Sequence, residues 1–154
     1  MSRLIELHIG SLATPAEEVI ELLDFLPVLY PGGDVWLPRA LAEVEGGVAD
    51  GFEVRVDGKL AGVLLGRIKS AGQYKIRTLF VAPAFRGRGL GRSLVQAGLR
   101  AAAHRGATHA YITFAHTLES QIAPLLKSEG FREEGNAINR YGVGRHEVVY
   151  TRAL

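Results

Sequence analysis

Apolar and polar positions alternate between residues 3 and 10, with Ile5, Leu7 and Ile9 on one side and Glu6 and His8 on the other. A period of two predicts a half-buried strand. Thr14-Pro15-Ala16-Glu17 then combines the spacing of a capping box with proline at the first helical position. The helix it predicts carries Val19, Leu22, Leu23 and Leu26 on one face and ends at Pro27 and Pro31-Gly32-Gly33. A second short helix is predicted from Trp36 to Glu45, closed by Gly46-Gly47. Strict alternation returns in Phe52-Glu53-Val54-Arg55-Val56, and Asp57-Gly58 predicts a type I′ hairpin turn, whose two central residues both need positive φ. The returning strand, Leu60 to Ile68, is apolar enough from Leu60 to Leu65 to be central in a sheet. After a turn at Ser70-Ala71-Gly72 a third strand is predicted from about Tyr74 to Val81.

Beyond Pro83 the period lengthens. Leu90, Leu94, Val95 and Leu99 recur at helical spacing, and that helix ends near His104-Arg105-Gly106. Tyr111-Ile112-Thr113-Phe114 is a short strand rich in β-branched and aromatic residues. A helix from about Leu118 to Ser128 shows Leu118, Ile122, Leu125 and Leu126, with Gly130 just past its end and Phe131 as the apolar contact beyond. Strands at 131–136 and 146–152 complete the order β-α-α-β-β-β-α-β-α-β-β, which predicts an α/β fold on a mixed sheet.

A chain of 154 residues suits one domain, here 1–154, and 47% hydrophobic with 22% charged residues is a globular mixture. The net charge of +2 gives no field for a dedicated nucleic-acid binder, although a sequence pI near 9.1 leaves room for a local basic patch. Without cysteine there is no disulfide, thiolate metal site or cysteine nucleophile. No apolar run approaches the roughly 20 residues of a membrane span, and the start of the chain has no signal-peptide pattern. A cytoplasmic protein with no membrane and no nucleic-acid partner is expected.

Nineteen glycines are many for this length, and most punctuate turns. Arg86-Gly87-Arg88-Gly89-Leu90-Gly91-Arg92-Ser93 is different, because it joins a strand to a helix. Successive backbone N–H groups without Cβ atoms form a concavity there, and the helix N-terminus adds about half a positive charge. Three arginines supply charge that pairs with phosphate. The dinucleotide pattern G-x-G-x-x-G fails, since Arg92 or Leu94 falls at the third glycine. The P-loop fails too, with Arg86 at its first glycine. A pyrophosphate cradle remains, against the plainer alternative of a solvated tight turn.

Leu79-Phe80-Val81-Ala82-Pro83-Ala84-Phe85-Arg86-Gly87-Arg88-Gly89-Leu90-Gly91 resembles the acetyl-CoA motif of the GNAT superfamily of N-acetyltransferases, Arg/Gln-x-x-Gly-x-Gly/Ala after a Leu-x-Val-x-Pro strand end. Glu129-Gly130-Phe131 resembles the family's second landmark, a helix ending in Gly-Phe. The resemblance covers nearly the whole chain. It implies a GNAT-like mixed central sheet of about seven strands flanked by about four helices. It further implies acetyl-CoA as co-substrate, no metal, and transfer to a primary amine of a small molecule or protein by direct attack in a ternary complex. A homodimer is compatible with it. By that resemblance Leu79, Phe80 and Val81 pair with the pantetheine arm, Arg86, Gly87, Arg88, Gly89, Leu90, Gly91 and Arg92 bind pyrophosphate, and a bulge splays this strand from the next. The alternative is an acyl-CoA-binding module that regulates or interacts without catalysis.

Acetyl transfer requires that the amine lose a proton, that the oxyanion meet a donor and that the thiolate leave. A backbone N–H near Val81 suits the second demand. The family's acid is a tyrosine five residues before the Phe, where this chain has Leu126, and Glu119 stands where the family has an asparagine touching pantetheine. His116, directly after the fifth strand, is the candidate base or a solvated loop histidine. Glu119 touches pantetheine or merely complements the helix dipole. Tyr141 is the better candidate acid, because Tyr150 sits on an alternating strand and reads as core. Tyr30, Asp34 and Trp36 are expected to shape the acceptor pocket, Trp36 against a cation or as a buried anchor of its helix. Lys75 and Arg77 form an outward row, solvated or acceptor-facing.

Overall fold

The computed structural model describes residues 7–26, 32–137 and 147–154. Along the chain run β1 (Leu7–Ser11), α1 (Ala16–Leu22), α2 (Gly33–Glu45), β2 (Asp50–Val56), β3 (Lys59–Ser70), β4 (Gln73–Val81), α3 (Leu90–His104), β5 (His109–Ala115), α4 (Glu119–Ser128), β6 (Arg132–Ala137) and β7 (Glu147–Ala153). The strands form one seven-stranded sheet in the order β1-β2-β3-β4-β5-β7-β6. Neighbours are antiparallel except β4 and β5, which are parallel and joined by the crossover helix α3. The mixed α/β architecture inferred from the element order is the one observed.

Two cores sandwich the sheet. On one face α3 and α4 cover Ala61, Leu64, Ile76, Ile112 and Phe114; on the other α1 and α2 cover Leu60, Val63 and Leu65. The apolar run of β3 is thus buried from both sides, as its composition requires of a central strand. Leu90, Leu94, Val95 and Leu99 form the buried stripe of α3. Asp57 and Gly58 turn the β2–β3 hairpin at φ 51° and 78°. At the end of α4 the Gly130 N–H donates to the Lys127 carbonyl at 3.1 Å and the Phe131 N–H to that of Leu126 at 3.0 Å, the Schellman pairing, with Phe131 and Leu126 both buried.

Three expectations change. The apolar row of β1 is largely solvated, Leu7 being 50% exposed, because β1 is an edge strand; Ile5 lies outside the described residues. The capping box does not form. Thr14 Oγ1 instead donates to Glu53 Oε1 at 2.8 Å and accepts from Arg55 Nη2 at 2.6 Å. The Glu53 carboxylate is buried and also takes the Ala13 and Thr14 N–H groups, which turns Thr14 toward it, and the hydroxyl oxygen that a cap would use accepts from Arg55 instead. Burial raises the Glu53 carboxyl, but these hydrogen bonds outweigh it and hold the group below its ordinary value. Finally, α1 stops at Leu22 and α2 begins at Gly33, earlier than Trp36.

The end of the sheet near the α3 C-terminus is tied shut. Buried Tyr74 donates to Asp50 Oδ2 at 2.9 Å, and Arg105 Nε donates to the same oxygen at 2.8 Å. Burial, then the Asp50 charge, pushes the Tyr74 hydroxyl well above the ordinary tyrosine value, so it remains a donor. The opposite end of β4 and β5 is open.

Candidate active site

The opening starts from one extra residue. Leu65 pairs with Thr78 and Gly66 with Ile76, so Arg77 is a β-bulge in β4. The parallel ladder between β4 and β5 runs from Gln73↔His109 to Ile76↔Ile112 and no further. Beyond the bulge the two strands part. The Ala82 N–H donates to the Ala61 carbonyl on β3 at 2.8 Å. By alternation Leu79 and Val81 turn their N–H and C=O groups the other way, into the gap.

A cavity of about 640 Å³ occupies that gap. Leu79, Val81, Ile112, Phe114, Ile122 and Leu125 give it an apolar wall on the α3/α4 side, and Phe25, Phe80, Arg77, Thr78 and Thr113 line it on the α1/α2 side. It ends at the glycine-rich loop, where Arg86, Gly87, Gly89, Leu90, Gly91 and Arg92 border it. Gly87 and Gly89 have φ of 79° and 78°, a conformation that glycine adopts without steric cost. Gly89 is the N-cap of α3 and no side chain caps that end. The first intrahelical bond there is Ser93 N–H to the Gly89 carbonyl, which leaves the N–H groups of Leu90, Gly91 and Arg92 facing outward as anion donors. Gly91 has a separate role: a Cβ there would lie 3.1 Å from Leu125 Cδ2, so its absence lets α3 approach α4.

The arginines of the loop already have partners. Arg86 Nε donates to the Val81 carbonyl at 2.8 Å, and its guanidinium lies over the Phe80 ring at 5.5 Å. Arg88 lies over Phe85 at 5.6 Å and is outside the lining. Arg92 pairs with Glu129, which also accepts from Gln96 Nε2 at 3.0 Å.

The other anticipated residues are spread more widely. His116 is exposed on a short 3-10 turn after β5 and does not line the cavity. Glu119 does not line it either, because Tyr150 donates to its Oε2 at 2.7 Å. Tyr150 is buried and stacks on Phe114 at 5.4 Å, so it is a core residue, and the Glu119 hydrogen bond pushes its hydroxyl up to about 12. Leu126 is fully buried in the α3/α4 core. Asp34 is exposed in the first turn of α2. Trp36 is half-buried, and the cation over its ring, 4.8 Å away, is Arg77. Tyr30 and Tyr141 lie outside the described residues.

Sequence reasoning missed Phe25, Thr78, Thr113 and Gln121 in the lining. The Thr113 hydroxyl oxygen is buried with no hydrogen-bond partner. Buried Glu147 opens β7 opposite Ala115, on the sheet face of Thr113. Glu43 accepts from Arg77 Nη1 and Arg67 Nη1, each at 2.8 Å, and the Arg77 bond above all holds its carboxyl below the ordinary value. Among the described residues no group of three or more His, Asp or Glu side chains suits a metal ion, and no helix is long and apolar enough to cross a membrane.

The acetyltransferase (GNAT) family matches residues 17–127, more than half of the chain. The chain belongs to the GNAT family. No curated protein matches it in sequence. Its fold is similar to that of a GNAT family acetyltransferase from Elizabethkingia anophelis with acetyl-CoA bound, at 16% identity and TM-score 0.74 over 97% of this chain and 98% of that one. A Bacillus subtilis acetyltransferase in complex with CoA is similar at 19% identity and TM-score 0.73, covering 97% of this chain and 99% of the other. The ribosomal-protein-S18-alanine N-acetyltransferase of Escherichia coli matches at 21% identity and TM-score 0.72 over 96% and 94%. These likenesses carry the GNAT fold across the whole sheet, including strands beyond residue 127.

Proposed function

We propose that residues 1–154 form one N-acetyltransferase domain that moves the acetyl group of acetyl-CoA to a primary amine by direct attack in a ternary complex. The observation that carries this reading is the unzipped β4–β5 gap, which ends at the uncapped N-terminus of α3. A pantetheine-sized arm in the gap meets the outward N–H groups of Leu79 and Val81, and its pyrophosphate meets the N–H groups of Leu90, Gly91 and Arg92. GNAT structures of the same fold hold acetyl-CoA or CoA, which supports that donor.

In the step itself the neutral amine nitrogen attacks the thioester carbon, the N–C bond forms and the C–S bond breaks. The amine's proton passes to a base, and the CoA thiolate takes a proton as it leaves. An N–H on the free edge of β4 stabilises the oxyanion. His116 accepts the proton through water, and Tyr141 supplies the one the thiolate needs.

The test is release of free CoA thiol with a panel of primary amines, followed by product mass. Release that depends on the amine, with one acetyl group replacing one hydrogen in the product, is expected. CoA binding with no amine-dependent release would overturn the enzyme and leave the acyl-CoA-binding module.

A further inference from the structure

The gap passes through the sheet, and its α1/α2 side carries a charge of one sign. Of the described residues that line it there, Arg77 alone is charged, and no Asp or Glu lines the cavity anywhere among them. We infer that Arg77 anchors an anionic group of the acceptor, so that the substrates are amines that also carry a carboxylate or a phosphate. This rests on the acetyltransferase reading and names the substrate class of the same site.

The bulge is what presents the side chain. Two successive residues, Arg77 and Thr78, sit opposite the single Leu65, and both side chains turn to the α1/α2 face. The guanidinium is held in place before any ligand arrives, stacked on Trp36 at 4.8 Å and donating through Nη1 to Glu43 at 2.8 Å, with the side chain only 11% exposed. A planar fork of five N–H groups spends one on that bond and borders the cavity, which is how arginine recognises oxyanions with two parallel hydrogen bonds. Glu43 does not neutralise it, because Arg67 takes the same carboxylate oxygen at 2.8 Å. Two cations share one anion, and the surplus positive charge lies beside the slot.

Position fits as well. Arg77 lies four residues before Val81, roughly 13 Å along the strand and away from the glycine-rich loop. An anion there sits past the thioester end of an arm whose pyrophosphate is at Gly87 to Arg92. Thr78 and Thr113, the latter with its buried unpartnered hydroxyl, stand beside Arg77 in the lining, while Phe25 and Phe80 give the space an apolar side. Among the described residues that line the cavity there is no carboxylate to receive a second ammonium on the acceptor, as in a polyamine.

Equilibrium binding tests this without turnover. Calorimetry on the CoA-saturated protein would compare N-acetylated amino acids with their primary amides, and N-acetylated phosphoethanolamine with N-acetylethanolamine. Acid over amide, phosphate over alcohol, or both should be preferred by about tenfold or more, and the winning pair identifies the anion. Salt should weaken the acid and spare the amide. In R77M the preference should fall to within about twofold with CoA affinity held, and R77K should recover part of it. Equal binding of charged and uncharged partners by the wild type, no binding by any of the four kinds, or a preference that survives in R77M would overturn the anchor. Failure of every amine to release CoA would instead end the acetyltransferase reading, leaving the calorimetric preference to stand or fall alone.

Discussion

The two sides of the β4–β5 gap are built by different means. At the glycine-rich end the donors are backbone N–H groups, fixed by two positive φ angles and the start of α3. On the α1/α2 side the lining consists of side chains from β4, β5 and the segment after α1, with Trp36 of α2 behind Arg77, and these converge only in the folded chain. A backbone cradle survives wide change in side chains, and in the function proposed above it is what binds the shared donor. The converging side chains are free to differ, and with Arg77 as the inferred anchor, acceptor choice is assigned to them.

The largest effect expected is at Gly89. Gly89→Val places a β-branched residue at φ 78° in otherwise open space, where the strain is on the order of 1–3 kcal/mol and the new side chain stands over the N–H groups of α3. Acetyl-CoA affinity should drop by roughly a hundredfold while far-UV circular dichroism is unchanged. Gly91→Val should behave differently, losing thermal stability along with affinity, because its Cβ meets Leu125 at 3.1 Å. If Gly91→Val kept the wild-type Tm, the packing role of this glycine would be wrong.

That contrast also separates what was legible in the sequence. The cradle is a local motif, eight consecutive residues whose types dictate the chemistry, and the hairpin at Asp57-Gly58 and the closure of α4 at Gly130 are local in the same way. The bulge at Arg77 is a matter of register between β3 and β4, and alternation along one strand left Arg77 in an outward row, solvated or acceptor-facing, without choosing between the two. Whether Trp36 faces a substrate cation or anchors its helix stayed open because its partner, Arg77, lies 41 positions away in sequence, on β4. Thr14 lost its capping role to Glu53 and Arg55, 39 and 41 positions on, for the same reason. Tyr150 was placed in the core correctly, since period-two burial is local.

The middle of the scale concerns proton transfer. If neutral His116 is the base, the rate at saturating acetyl-CoA should have a limb that rises with pH, and His116→Ala should flatten that limb with about a tenfold loss or more above it. A pH profile identical to that of the wild type would move the base elsewhere, with Glu147 on the face of Thr113 the next residue to replace.

The effect expected at Tyr150 is on stability and not on rate. Its hydroxyl, raised to about 12, donates to Glu119 and braces α4 against β7. A raised value means that the folded state holds the proton more tightly. The stabilisation is therefore complete below the ordinary tyrosine value near ~10 and is lost as pH climbs through about 12. Tyr150→Phe should cost about 2 kcal/mol, seen as a lower Tm by differential scanning calorimetry, and the deficit should be constant from about pH 6 to 9. A deficit that grew across that interval would contradict the assigned proton.

The smallest effect sharpens the cradle. Glu129 is ion-paired with Arg92, so in the proposed function it would compete with phosphate for that guanidinium. Glu129→Gln should release the guanidinium and tighten CoA binding by about two- to fivefold at low salt, an advantage that shrinks as salt is added. Weaker binding would mean that Glu129 positions Arg92 rather than restraining it.

The unpaired stretch of β4 has one more consequence. An open strand inside a sheet is a template on which another extended chain can add, the hazard usually associated with outer edges. Here it is recessed, and its last carbonyl, that of Val81, is covered by Arg86. An arm that completes the ladder closes the template, and a ligand that binds only the folded state raises its melting temperature by mass action. CoA should therefore both stabilise the protein and suppress its aggregation on heating, and Arg86→Ala should make the unliganded protein the more aggregation-prone of the two.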